Sequence, residues 1–323
     1  ATYIGWLLHG TRGGVAAGAL FVLPSLFLLV ALSALYVAYG QLPMVAAVFW
    51  GVKAAVAVIV LQAIVRLTQR SILNRPLAGV FIALAAISFI ALQFGKVSFV
   101  LIVLGAGGFG WLLARLRPAM FAGAPKGGHG SAATGAHAPA MIDDHSPAPA
   151  HATYRPARLG RVLAVGALLW ALPFAALLLS QGWGATLTQM AWFFSKAALV
   201  TFGGAYAVLP YVNQAAVEHY QWLTAAQMMD GLALGETTPG PLIMIVAFVG
   251  YLGGAQTSTA LAVAGAVVAT WFTFLPSFIF ILAGGPWVET TRGNLKLAAP
   301  LAAISAAVVG VMFTLAIDFI AAY

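Results

Sequence analysis

Apolar residues form long runs along the chain, and short stretches rich in polar residues, glycine and proline separate these runs. Many runs reach about 20 residues, the length at which an α-helix crosses a hydrocarbon core of roughly 30 Å. The runs stay apolar throughout instead of alternating with polar residues, which favours membrane helices over the strands of a membrane barrel. We predict membrane segments near residues 14–39, 44–67, 77–94, 97–114, 162–179, 186–212, 225–252, 257–283 and 295–321.

The composition agrees with an all-α, polytopic integral membrane protein. Of the 323 residues, 62% are hydrophobic and 7% are charged, whereas charged residues make up roughly a quarter of a soluble globular domain. A soluble enzyme is therefore excluded. The chain contains no cysteine, which excludes disulfides and thiolate metal sites, and we expect no cofactor.

The basic residues indicate a topology. Lys and Arg number 15 against 7 Asp and Glu, which gives a formal charge of +8. Twelve basic residues lie in loops or at segment ends, and alternating the segments across the membrane places all twelve on one side. By the positive-inside rule that side is the cytoplasm, so the expected partner is the lipid bilayer and nucleic-acid binding loses its main support. These residues are Arg12, Arg66, Arg70, Arg75, Arg115, Arg117, Lys126, Arg155, Arg158, Arg161, Arg292 and Lys296.

Residues 118–158 differ from the rest of the chain, because they are rich in Ala, Gly, Pro, Ser and His and show no apolar periodicity. This composition is typical of a flexible linker, here on the cytoplasmic side. Its histidines and aspartates are too widely spaced to preorganise a metal site, and none is expected. The linker divides the chain into the remainder of a first membrane repeat, residues 1–117, and a second membrane repeat, residues 159–323.

The two membrane regions share short matches in the same order, and two of the three matches have a constant offset of 252 residues. This pattern predicts two homologous domains. The matched stretches are Leu-Pro-Ser at 23–25 and 275–277, Ala-Ala-Val at 54–56 and 306–308, and Ile-Gly-Trp-Leu at 4–7 with Val-Gly-Tyr-Leu at 249–252.

The charges predict that the two copies have opposite orientations. The first Leu-Pro-Ser helix begins beside Arg12 and ends in the neutral stretch 40–43, whereas the second begins at the neutral stretch 255–257 and ends near Arg292 and Lys296. Inverted repeats are typical of carriers that work by alternating access around a site at mid-membrane. A duplicated scaffold without a transport role is the alternative.

The second copy also carries residues 202–241 ahead of Gly250, but only four residues precede Gly5 in the first copy. From the symmetry of the repeat we expect roughly 70–80 further residues of the first repeat upstream of Ala1. The corresponding glycine and proline motifs of the first repeat are expected in that upstream stretch.

Two stretches of the second repeat are too rich in glycine, proline and polar residues for a lipid-facing helix, where unsatisfied backbone groups are costly. Gly203-Gly204 allows a break or a close helix contact, and Pro239-Gly240-Pro241 interrupts its run so that a half-helix can begin at Leu242. The hydroxyls of Thr237 and Thr238 could cap that helix. We therefore predict broken or re-entrant helices whose N-termini suit an oxyanion, with simple close packing at the glycines as the alternative.

Ionisable residues inside the membrane are functional candidates because their insertion is costly. Lys196 lies two turns before Gly203, and Lys53 lies well inside the second segment, so both could offset the charge of an anion. Ion pairs of these lysines with Glu236, Asp230 or Asp318, or snorkelling to the membrane interface, are the alternative. Glu236, next to the proline break, could carry a coupling proton if burial favours its protonated form.

Several of these motifs occur together in one known family. The chain carries Phe202-Gly203-Gly204 with Ala207-Val208-Leu209-Pro210, followed in order by Trp222-Leu223 and Pro239-Gly240-Pro241, and this combination resembles the signature of chromate ion transporters. The stretches 1–9 and 18–25 are also similar to the first half of the long, two-domain members.

The resemblance implies a chromate efflux transporter that exports chromate from the cytoplasm across the bacterial inner membrane and gives chromate resistance. It implies chromate as the substrate, sulfate as an isosteric competitor, and two membrane domains of opposite orientation. A homodimer is compatible with this interpretation. The family motifs, with the lysines and the break, give an expected substrate site of Lys53, Lys196, Phe202, Gly203, Gly204, Thr238, Pro239, Gly240 and Pro241, with Glu236 for coupling.

Two alternatives stay open at this point. A carrier for sulfate or another tetrahedral oxyanion has the same requirements, because size and charge barely separate such dianions. A non-transporting membrane scaffold or sensor is the alternative from a different class, and a measured substrate flux would distinguish it from both carriers.

Overall fold

A computed structural model describes residues 1–73, 78–116, 150–201, 205–290 and 298–322. Within these ranges the chain is helical and contains no strand. Its α-helices are α1 Thr2–Tyr39, α2 Pro43–Thr68, α3 Ala78–Gln93, α4 Phe99–Leu116, α5 Pro156–Gln181, α6 Thr186–Leu199, α7 Ala205–Asn213, α8 Ala225–Thr237, α9 Ile245–Ala255, α10 Thr259–Thr290 and α11 Ala298–Ala322. Short π-helical turns extend α2 over Gln69–Leu73 and α7 over Gln214–His219, and 3-10 turns lie at Ala150–Ala152 and Leu242–Met244.

Six of the helical stretches are long and apolar enough to cross a membrane, and α3 and the stretch Leu242–Ala255 are shorter apolar helices. The prediction of an all-α polytopic membrane protein is therefore confirmed. The predicted segments at 186–212 and 225–252 are each divided into two shorter helices, α6 with α7 and α8 with α9. Most of the predicted linker and the basic residues Arg75, Arg117, Lys126, Arg292 and Lys296 lie outside the described residues.

Helices α10 and α11 form the centre of the bundle. Helix α10 packs against α1, α5, α6 and α9, and α11 packs against α2, α3, α4 and α7. Helices α1 and α10 are antiparallel, since Gly14 lies near Leu282 and Gly18 near Phe278. The start of α5 lies at the Arg12 end of α1, where Arg158 donates a hydrogen bond to Thr11. We call this end of the bundle the basic end, and the other, where α1 finishes, the opposite end.

Similar close contacts occur in the two regions that the sequence predicts to be repeats. Helix α1 breaks at His9 and Gly10, where Gly10 has a φ of 64°, and the short N-terminal part folds back along the rest of the helix. A β-carbon on Gly5 would collide with Gly13 and Ala17, and a β-carbon on Gly250 would collide with Gly265 and Ala269. Gly13 and Gly265, and likewise Ala17 and Ala269, are related by the 252-residue offset, which supports the predicted homology.

Candidate functional site

The Pro-Gly-Pro motif forms the tip of a re-entrant hairpin made by α8 and α9. Their outer ends are joined by the side chain of Gln256, which donates hydrogen bonds to the carbonyl oxygens of Gln221 and Trp222 at 2.9 and 2.8 Å. Along the hairpin, Gly231 packs directly on the ring of Phe248. A helix of 13 residues is about 20 Å long, so α8 is too short to cross a hydrocarbon core and turns back inside the bundle.

A second re-entrant hairpin is formed by α6 and α7. Phe193 of α6 packs against Tyr211 of α7, with ring centroids 5.0 Å apart, and against Tyr220 and Trp222 beyond it. Phe202, Gly203 and Gly204, which follow α6 in the sequence, lie outside the described residues. Helix α6 ends at Leu199 and α7 begins at Ala205, so the helical run is interrupted beside the predicted glycine break.

The two hairpins contact each other near their tips. The hydroxyl of Tyr206, in the first turn of α7, donates a hydrogen bond to the carboxylate of Glu236, in the last turn of α8. Helix α1 reaches the same place, since the hydroxyl of Ser25 donates a hydrogen bond of 2.6 Å to the carbonyl oxygen of Pro239. Gly240 has a φ of 135°, and a β-carbon at this position would overlap with Ser25. Ser25 lies near the middle of α1, which places this junction at mid-height in the bundle.

Two helix N-termini lie near the place where the hairpins meet. Helix α7 starts just after one tip, and the 3-10 turn Leu242–Met244 leads into α9 just after the other. The first backbone N–H groups of a helix have no intrahelical partner and lie at the positive end of its dipole. Pro239 and Gly240 are exposed. This arrangement can bind an oxyanion through backbone amides.

The expected cap on α9 is wrong. The hydroxyl of Thr237 donates to the carbonyl oxygen of Ala233 at 2.9 Å, and that of Thr238 donates to Gly235 at 3.2 Å. Both threonines therefore bond to the carbonyl groups that end α8. The start of the 3-10 turn after Pro241 has no side-chain cap. The N–H of Met244 donates to the carbonyl oxygen of Pro241 at 2.9 Å, so the N–H groups that no side chain caps are those of Leu242 and Ile243.

Lys196 lies in the last turn of α6, close in sequence to the glycine tip. Its ammonium nitrogen is 5.6 Å from the centroid of the Trp192 ring, an arrangement that favours a cation–π interaction. Among the described residues it makes no hydrogen bond or ion pair. The lysine charge is therefore not neutralised by a carboxylate in the described part of the chain.

Lys53 lies in a different place and has a partner. Its ammonium group is 3.2 Å from one carboxylate oxygen of Asp230, and the hydroxyl of Tyr36 donates a hydrogen bond of 2.8 Å to the other oxygen. Asp230 is buried, with 4% of its surface exposed. This cluster joins α1 and α2 to α8, and it contains the ion pair of Lys53 with Asp230 that was the alternative to a substrate-binding role.

Sequence reasoning did not single out Ser25, Tyr36 or Tyr206 as site residues. Ser25 carried a detectable signal, because it belongs to the repeated Leu-Pro-Ser motif. The two tyrosines carried none, since a tyrosine in an apolar helix has no pattern that distinguishes a hydrogen-bond donor from a packing residue. His151, one of the histidines of the predicted linker, pairs with the carbonyl oxygen of Trp6 at 2.7 Å.

Comparisons with known proteins agree with these motifs. A family model described as "Chromate transporter" matches residues 1–111 and 188–323. The chain is 34% identical to the chromate transport protein of Pseudomonas aeruginosa, over 98% of this chain and 66% of the relative. It is 29% identical to the chromate transport protein of Cupriavidus metallidurans, over 96% of this chain and 65% of the relative. A probable chromate transport protein of Synechococcus elongatus is 26% identical, over 95% of this chain and 66% of the relative.

These relatives are longer than the chain, which spans about two thirds of their length. No solved structure matches the chain. The family match covers most of the described helices, including both re-entrant hairpins. The chain is a multi-pass membrane protein that belongs to the chromate transporter family.

Proposed function

We propose that the chain is part of a chromate efflux transporter of the bacterial inner membrane, with its linker in the cytoplasm, and that it gives chromate resistance. The observation that carries this proposal is the contact of the two re-entrant hairpins at mid-height, where Tyr206 at the start of α7 donates a hydrogen bond to Glu236 at the end of α8. Half-helix N-termini at such a position are suited to an anionic substrate. The membership of the chromate transporter family supports chromate as that anion, with sulfate, which has the same shape and charge, as its competitor.

In this proposal the backbone of the two tips surrounds the oxyanion. Thr238, Pro239, Gly240 and Pro241 contribute one tip. Phe202, Gly203 and Gly204, which lie outside the described residues, are proposed as further binding residues from the glycine motif between α6 and α7 in the sequence. Lys196, which is unpaired among the described residues, attracts the dianion electrostatically from beside the glycine tip. Lys53 contributes a second positive charge when it is released from Asp230.

The membrane potential is sufficient to drive efflux. An inside-negative potential favours the exit of an anion by about 2.3 kcal/mol per charge for each 100 mV, and chromate carries two charges. Glu236 is the proposed coupling residue, since its carboxylate lies beside the Pro-Gly-Pro tip in the sequence and accepts a hydrogen bond from Tyr206 of the other hairpin. A proton bound there would link transport to pH.

The test is chromate flux into inside-out vesicles that contain the full-length protein with this chain's sequence. We expect uptake that excess sulfate reduces, a lower rate in Lys196→Ala, and loss of the pH dependence in Glu236→Gln. Lys96→Ala is the matched control, because Lys96 lies in the turn between α3 and α4. Absence of chromate uptake by folded protein would contradict the proposal and favour a scaffold. Uptake of sulfate without chromate would identify another oxyanion carrier.

A further inference from the structure

A long apolar groove lies on the side of the bundle between α1, α5 and α10. Helix α10 forms its floor, and α1 and α5 form its walls. Its volume is about 1260 Å³. The side chains that line it along its length are almost all apolar and include Val15, Leu23, Val165, Leu169, Phe274 and Phe278.

Four arginines line the end of this groove at the basic end of the bundle. They are Arg12 from α1, Arg155 just before α5, and Arg158 and Arg161 from the first turns of α5. Arg158 is held by Thr11 at 3.0 Å and by the carbonyl oxygen of His151. The other three are exposed, and in the described part of the chain none of them has a carboxylate within ion-pair distance.

The start of α5 makes this cluster electrostatically unfavourable without an anion. The first turn of α5 contains no acidic residue, and its N-cap residue, Arg155, makes no side-chain cap. A helix N-terminus already carries a partial positive charge, which arginines at the same place increase. An external anion would relieve this repulsion and would accept hydrogen bonds from the guanidinium groups.

The dimensions of the groove match one leaflet of a bilayer. Along α1, Arg12 and Leu26 both line the groove, and 14 residues of helix span about 21 Å. Half of a hydrocarbon core is about 15 Å, so an acyl chain fits below the arginines with room for a headgroup. At the far end, the indole N–H of Trp271 donates to the carbonyl oxygen of Leu169 at 3.2 Å and joins α10 to α5.

We propose that this groove is a binding site for an anionic phospholipid, with the phosphate at Arg12, Arg155 and Arg161 and the acyl chains along α10. A basic cluster between membrane helices on the cytoplasmic side is suited to acidic headgroups, and the apolar walls suit the tails. Among the described residues, none of the Pro-Gly-Pro tip lines this groove, so the lipid site is separate from the oxyanion site proposed at that tip.

The test measures retained lipid by native mass spectrometry of the purified protein after exchange into mixtures of phosphatidylglycerol and phosphatidylcholine. Wild-type protein should retain phosphatidylglycerol selectively. The double variant Arg12→Gln/Arg161→Gln should bind it about thirtyfold more weakly, the effect expected for two basic residues at an acidic headgroup. Val165→Trp, which adds bulk to the exposed wall of α5, should also displace the lipid.

The matched control is Arg115→Gln, since Arg115 lies at the end of α4 over the ring of Trp111 and does not line the groove. Its lipid retention should equal that of the wild type. Equal retention of the two lipids by the wild type would overturn the proposal. Unchanged phosphatidylglycerol binding in either groove variant would also overturn the proposal. So would a dimer that retains no lipid, because the groove would then be occupied by a second copy of the chain.

Discussion

Lys53 has two interpretations: a structural one, as the ion-pair partner of Asp230, and a functional one, as a residue that binds the oxyanion. Only 18% of the Lys53 side chain and 5% of the Asp230 side chain are exposed. Removing one partner of such a pair costs about 3–5 kcal/mol, because the remaining charge stays buried without compensation. We therefore expect Lys53→Met and Asp230→Leu each to lower the melting temperature of the detergent-purified protein.

The double variant Lys53→Met/Asp230→Leu separates the two interpretations. Apolar residues of similar size often replace a buried ion pair without loss of stability, so the double variant should melt near the wild-type temperature. If Lys53 binds the oxyanion, the stable double variant should nevertheless transport chromate poorly. Additive losses of stability in the double variant would contradict the pairing, and normal transport would leave Lys53 with a structural role alone.

At the scale of elements, the α8–α9 hairpin depends on a glycine that has no tolerated replacement in this conformation. Gly240→Ala would impose a φ of 135° on a residue with a β-carbon, at a cost of about 1–3 kcal/mol, and would overlap with Ser25. We expect a lower folded yield by size-exclusion chromatography and reduced transport. Ser25→Gly should partly restore Gly240→Ala, because it removes the overlapping atoms.

Gly51→Ala is the matched control for this prediction. Gly51 lies in α2, and a β-carbon there would meet nothing within 4 Å. Alanine also stabilises a helix relative to glycine, so the yield should not fall. Equal yields for Gly240→Ala and Gly51→Ala would show that the junction between Ser25 and the Pro-Gly-Pro tip is not required for folding.

The same hairpins show which parts of this fold the sequence could predict. The density of Gly, Pro and polar residues at 201–210 and 235–241 is incompatible with a lipid-facing helix, so both interruptions were predictable. The pairing of Tyr206 with Glu236, and of Ser25 with Pro239, depends on how separate helices approach one another. Such contacts leave no periodicity in a single sequence, and the capping prediction for Thr237 and Thr238 failed because their hydroxyls reach the preceding turn instead.

At the scale of the whole molecule, the arrangement of helices agrees with the charge pattern. The antiparallel packing of α1 on α10 places Arg12 at the same end as Leu282. Helix α4 packs on α11 with Gly110 beside Ala299, so the end of α4 that carries Arg115 lies where α11 begins. Arg12 and Arg158 therefore lie together at the basic end, and Arg115 lies at the start of α11, whereas the Pro-Gly-Pro tip lies at mid-height beside Ser25.

This geometry makes the proposed topology testable by cysteine labelling, because the 323 residues contain no cysteine that would interfere. Gln41, between α1 and α2, and Thr257, between α9 and α10, are exposed at the opposite end, whereas Arg115 is exposed at the basic end. In intact bacterial cells that express single-cysteine variants, a membrane-impermeant maleimide should label Gln41→Cys and Thr257→Cys. Arg115→Cys should be labelled only after permeabilisation, because the proposed topology, which follows the positive-inside rule, places the basic end in the cytoplasm. Labelling of Arg115→Cys in intact cells would contradict the proposed orientation. Labelling of Gln41→Cys without labelling of Thr257→Cys would contradict the inverted repeat. In that case α1 and α10 would cross the membrane in the same direction.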